Sequence, residues 1–191
     1  MIRALTLGAL LLAFAGTAPA GEAADSLYGL KASLVNQVGQ TVPFDVYRGQ
    51  PVLISMFYES CDYVCPMLIA NIGQLENQLD QAARSRLRVL LISIDPEHDT
   101  PEVLAGLARK HRADLGRWTF ARADARDVRK ISALLGIQYR ALPEGGFNHS
   151  VLMTLLDRDG SVLARSAKLQ GAAPEFTKAL RAATAAPAHG D

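Results

Sequence analysis

The segment Val52 to Tyr58 (VLISMFY) is an almost unbroken apolar run. It shows no polar alternation, so it predicts a strand covered on both faces. A second such run spans Leu87 to Ile94 (LRVLLISI). Between them, from Pro66 to about Leu79, the residues Leu68, Ile69, Ile72, Leu75 and Leu79 recur at three- and four-residue spacing, the pattern of an amphipathic helix. Two buried strands joined through a helix pair as parallel neighbours, which commits the chain to a layered α/β architecture.

The remaining segments extend this core. Leu34 to Phe44 predicts a hairpin around Gln37–Gln40, and Thr100-Pro101 a helix start, with a capping hydroxyl and proline at the first helical position. Trp118 to Ala121 predicts a short strand, and Asp124 the cap of a helix ending near Leu135 at Gly136. Val151 to Leu156 and Ser161 to Arg165 flank the turn Asp157-Arg158-Asp159-Gly160 as a second hairpin, and Pro174 opens a last helix. The expected fold is a central mixed β-sheet flanked by helices, with an N-terminal β-hairpin. A cysteine motif after the first core strand makes this the thioredoxin-like arrangement. One domain is expected over residues 31–181, with 21–30 a flexible lead-in and 182–191 (AATAAPAHGD) a disordered tail.

Residues 1–20 read as a secretory signal. Arg3 supplies the positive start, Ala4 to Ala15 an apolar run of about 12 residues, and Ala18-Pro19-Ala20 a small-x-small cleavage site. A spanning helix needs roughly 20 residues, so cleavage and export to a periplasm are expected, not anchoring. The formal net charge is +1, from 20 basic and 19 acidic side chains spread along the chain. That balance leaves no basic stripe for nucleic acid, and two cysteines are too few for a disulfide scaffold.

Those two cysteines lie in Cys61-Asp62-Tyr63-Val64-Cys65-Pro66. Pro66 fits a first helical turn and disfavours helical geometry before it, which places Cys65 at the helix N-cap and Cys61 in the turn. The positive end of the helix then favours thiolate, the form that attacks disulfides and binds metals. Thioredoxin-type oxidoreductases separate the pair by two residues; here there are three. The wider turn allows both sulfurs onto one metal and also closure to a disulfide. A purely structural disulfide would enclose a very small loop and restrict the unfolded chain little.

Two thiolates rarely complete a metal site, so a third ligand is expected among four histidines. His189 lies in the tail, His111 near a helix end, and His98 in the polar loop Asp95-Pro96-Glu97-His98-Asp99. His149 follows the loop Leu142–Asn148 directly before a core strand, where a thioredoxin fold packs a loop against the cysteine turn. Cys61, Cys65 and His149 are therefore the candidate metal ligands. Two thiolates and one imidazole suit Cu(I), whereas structural zinc sites usually take four ligands.

Three blocks in order carry a family resemblance over about Lys31 to Leu180: Phe57–Pro66 (FYESCDYVCP), Ser93–Glu102 (SIDPEHDTPE), and His149-Ser150 with Leu156–Gly160 (LDRDG). Together they resemble the SCO/SenC proteins. The resemblance implies a thioredoxin-like fold, copper held by Cys61, Cys65 and His149, and delivery of that copper to, or upkeep of the thiols of, the CuA centre in cytochrome c oxidase subunit II. Two functions are carried forward. One is a copper metallochaperone, expected to be a monomer, serving that subunit or another copper-enzyme client. The other is a thiol–disulfide reductase in which Cys61 attacks, Cys65 resolves, and a periplasmic thiol reductant restores the pair. A peroxide-reducing enzyme of the same fold would need an arginine beside its cysteine, and none adjoins Cys61.

Overall fold

In the computed structural model, which describes residues 26–186, the chain opens with the hairpin of β1 (Ser33–Asn36) and β2 (Thr41–Pro43), then enters β3 (Val52–Phe57). After it come α1 (Val64–Glu76), α2 (Gln81–Arg86), β4 (Arg88–Ser93), α3 (Pro101–Lys110), β5 (Trp118–Arg122) and α4 (Ala125–Leu135). A ribbon of β6 (Tyr139–Ala141) and β7 (Phe147–His149) precedes the hairpin β8 (Met153–Leu156) and β9 (Val162–Ser166), and α5 (Pro174–Thr184) closes the domain. Among the described residues no helix is long and apolar enough to cross a membrane.

The seven-stranded sheet has the order β2-β1-β5-β4-β3-β8-β9. Its centre, β5-β4-β3, is parallel, while β1 pairs antiparallel with β5 and β8 antiparallel with β3. All six residues of β3 are buried, so both faces of the sheet are covered, as the apolar run predicts. Each of the five apolar side chains among them contributes about 1.5–3 kcal/mol relative to exposure. Phe57 meets Phe120 edge to face, with centroids 5.8 Å apart, and ties the end of β3 to the middle of β5. The architecture is the thioredoxin-like fold expected.

This topology collects three loops at one edge. β3 and β4 run parallel in register from Val52↔Arg88 to Phe57↔Ser93, so the segments after both leave the same end. β8 runs the other way, pairing Ile54 with Thr154, so the segment before it arrives at that end too. The cysteine loop, the Asp95–Asp99 loop and His149 thereby meet at the carboxyl ends of the parallel strands, the usual ligand edge of an α/β sheet.

Several boundaries differ from expectation. The described part of the 21–30 lead-in is packed. Leu27 and Tyr28 are buried around a 3-10 turn at Leu27–Gly29, and Leu27 N–H donates to the Gly160 carbonyl at 2.9 Å. Gly160 has φ +85°, and a Cβ there would stand 2.5 Å from the Tyr28 ring, so the turn must be glycine for the lead-in to dock. At the other end α5 runs past residue 181 to Thr184, because alanine is a strong helix former and the buried Thr184 carbonyl accepts from Arg86 Nε at 2.8 Å. His189 and the expected signal lie outside the described residues. Two elements have no counterpart in the sequence reading: α2, capped by the Asp80 carboxylate accepting from Ala83 N–H at 2.7 Å, and the β6–β7 ribbon.

Candidate metal centre

The first turn of α1 builds the site. The helix begins at Val64 with Tyr63 as N-cap, so Cys65 is its second residue and not the cap itself. The expected exclusion of Cys65 from the helix fails because Pro66 still falls in the first turn, where a missing N–H costs nothing. Tyr63 makes no side-chain capping bond. The Cys61 sulfur supplies that acceptor instead, taking the Cys65 N–H at 3.3 Å.

The two thiols therefore differ. Cys61 is half-buried, while Cys65 is 2% exposed. Burial alone would raise the Cys61 pKa; the amides of Cys65, Tyr63 and Val64 and the Cys65 thiol outweigh it and hold Cys61 below the ordinary thiol range. Cys65 is pushed strongly upward, chiefly by burial, with further pressure from Cys61 and the Asp99 carboxylate. The helix N-terminus thus activates Cys61, the residue expected to attack.

His149 ends β7, paired with Tyr139 of β6. Its Nδ1 lies 3.2 Å from the Ser150 carbonyl. Donation there leaves the lone pair on Nε2, which stands 3.7 Å from Cys65 Sγ. Burial lowers the imidazole pKa, only partly offset by the Ser150 bond, so the ring is neutral and can ligate at pH 7. The donor atoms of Cys61, Cys65 and His149 all lie within 4.8 Å of one another. At metal–sulfur and metal–nitrogen distances of about 2.3 and 2.0 Å, donors sharing one ion stand up to about 4.6 Å apart. The three side chains are close enough to hold one ion, and two thiolates with an imidazole suit a soft ion.

Two residues outside the ligand set hold it together. Tyr58, at the end of the core strand, packs its ring edge-on to His149 (5.6 Å) and to Phe147 (5.4 Å). Its hydroxyl donates to the Phe147 carbonyl at 3.1 Å. Asp99, 2% exposed, accepts from the Glu59 N–H at 3.2 Å and from Ser93 Oγ at 2.5 Å. The sequence reads Asp99 as turn chemistry before α3; capping is done by Thr100, whose Oγ1 accepts from Val103 N–H. Neither role was legible, because Asp99 meets Glu59 across 40 residues and Tyr58 meets Phe147 across 89. His98 stays outside the centre: it is exposed and pairs with Asp95 at 2.8 Å. His111 lies on a different surface, in a groove beside α1.

The chain is similar to the SCO1 protein homolog of Bacillus subtilis, 27% identical over 133 residues, covering 67% of each. It spans 44% to 67% of the length of the curated relatives it matches. Among solved structures it resembles ScoI of Bradyrhizobium japonicum with copper bound, at a TM-score of 0.68 and 24% identity, covering 80% of this chain and 96% of that one. It resembles equally BsSco, a member of the Sco family of cytochrome c oxidase assembly proteins, at a TM-score of 0.68 and 20% identity, covering 80% and 90%. The family model described as SCO1/SenC matches residues 21–185, and the chain belongs to the SCO1/SenC family.

Proposed function

We propose that this protein is an exported copper metallochaperone, working in a bacterial periplasm, that carries one copper ion on Cys61, Cys65 and His149 and passes it to the CuA centre of cytochrome c oxidase subunit II. The observation that carries this is the convergence of two thiols and a neutral imidazole within 4.8 Å at an accessible loop edge. The copper bound to the ScoI relative and the oxidase-assembly role of the BsSco family support it. Copper is cargo here. Half-exposed Cys61 is the ligand an incoming thiolate can displace first, while Cys65 and His149 retain the ion.

Anaerobic copper titration of the reduced chain tests this. One ion per chain is expected, weakened at least 100-fold in Cys61→Ala, Cys65→Ala and His149→Ala. Binding indifferent to His149 would overturn it.

A second reading, thiol–disulfide reduction of the client, is favoured by the asymmetry of the free thiols. The Cys61 thiolate attacks a client disulfide and releases one client thiol. Cys65 then loses its proton and displaces the mixed disulfide, leaving a Cys61–Cys65 disulfide and a second client thiol. A thiol reductant returns two electrons to the pair. His149→Ala separates the readings, since it removes copper retention and spares this exchange.

A further inference from the structure

A groove of about 480 Å³ runs beside α1, away from the thiols. Ile69, Ala70 and Gly73 form one wall. Gly73 lies eight residues beyond Cys65, about 12 Å along the helix axis. Four cations line the groove, Arg84, Lys110, Arg112 and Arg117, against the carboxylates of Glu76 and Asp114. Arg117 is paired with both carboxylates, and Glu76 also accepts from Trp118 Nε1 at 2.7 Å. Arg84, Lys110 and Arg112 make no ion pair among the described residues.

Helix-end electrostatics explain Lys110, in the last turn of α3. They account equally for Arg84, in the last turn of α2, whose guanidinium also donates to Asn77 Oδ1 at 3.2 Å. They do not explain Arg112, which lies beyond the end of α3. Arg112 has φ 51°, the only non-glycine residue with positive φ among those described. Glycine is favoured after a helix end in that conformation, and an L side chain there costs about 1 kcal/mol. The neighbouring His111 has a ring nitrogen, Nε2, that is shut off from solvent with no hydrogen-bond partner. Arg112, held against backbone preference, lines the groove together with these cations, and the His111 ring borders it.

We propose that this groove docks an acidic segment of a partner protein. The cations come from separate elements along an open trough, which matches successive carboxylates on an extended chain, and the exposed Ala70 offers a small apolar contact for a side chain between them. Because α1 carries both the groove wall and Cys65, a partner held there is positioned along the same helix as the thiols. The proposal does not depend on copper binding.

Trp118, the only tryptophan, lines the groove and reports on it. The full chain is titrated with a blocked hexapeptide of four glutamates and two leucines, following Trp118 emission. Saturable binding is expected near 10 mM salt, weakening at 150 mM as the screening length falls from about 30 to about 8 Å. Lys110→Glu with Arg112→Glu should weaken it at least tenfold. Arg112→Gly should weaken it severalfold without lowering Tm, because the backbone cost is relieved. No saturable change, equal affinity in the charge-reversed chain, or an equal response to inorganic phosphate or to the glutamine version of the peptide overturns the proposal. Copper titration of the same variants is expected to be unchanged, so either outcome leaves the metal reading to be judged separately.

Discussion

The buried carboxylate of Asp99 accepts the backbone N–H of Glu59, joining the loop after β4 to the loop that carries Cys61. With Ser93 Oγ on the same carboxylate, the end of one core strand fixes the path of the chain leaving its neighbour. The shape of the metal centre thus depends on a residue that touches none of its ligands.

Asp99→Ala leaves the buried Ser93 hydroxyl and the part-buried Glu59 N–H without their acceptor, which costs about 1–3 kcal/mol, read by urea denaturation. Burial raises the Asp99 pKa from 3.8, with the Ser93 and Glu59 bonds opposing. A carboxyl raised in the folded state contributes stability that is present below its unfolded pKa and lost as pH rises through the folded value. The deficit of Asp99→Asn relative to the unaltered chain should therefore shrink as pH increases from about 3.8 upward.

Alkylation of the reduced, metal-free protein should fall first on Cys61, with Cys65 at least tenfold slower at pH 7. The amides at the start of α1 favour the Cys61 thiolate, and burial disfavours that of Cys65. Mass spectrometry of singly modified chains reads the order; faster labelling of Cys65 would contradict the assignment of attacker.

Tyr58→Phe removes the bond to the Phe147 carbonyl and keeps the ring against His149. A stability loss of about 0.5–1.5 kcal/mol is expected. Copper affinity should fall several-fold, well short of the loss in His149→Ala.

Gly146→Ala should disturb the same contact from the other side. Gly146 has φ +75°, and a Cβ there would lie 3.4 Å from the Tyr58 hydroxyl. A loss of about 1–2 kcal/mol is expected, with weakened copper retention from displacement of β7.

Glu76→Ala strips the buried partner from Arg117 and from Trp118 Nε1. Arg117 keeps Asp114 and some solvent contact, so the expected cost is about 2–4 kcal/mol. Copper binding to the folded variant should be unchanged, since Glu76 ends α1 far from the thiols.

The sequence by itself determined the core and singled out the candidate ligand set. The runs at Val52–Tyr58 and Leu87–Ile94 read as buried strands because they are short and rich in β-branched and aromatic or aliphatic side chains, and Cys-x-x-x-Cys-Pro with His149 names the candidate donors. Local chemistry also placed the helix starts at Thr100-Pro101 and Pro174. Only the tertiary structure decided how these parts work together. The α1 amides favour the Cys61 sulfur, the Ser150 carbonyl turns Nε2 of His149 toward Cys65, and Asp99 and Tyr58 brace loops far away in the chain. The last two join segments 40 and 89 residues apart, so nothing in the local pattern encodes that link. It exists only once parallel β3 and β4 and antiparallel β8 bring three chain ends to one edge of the sheet.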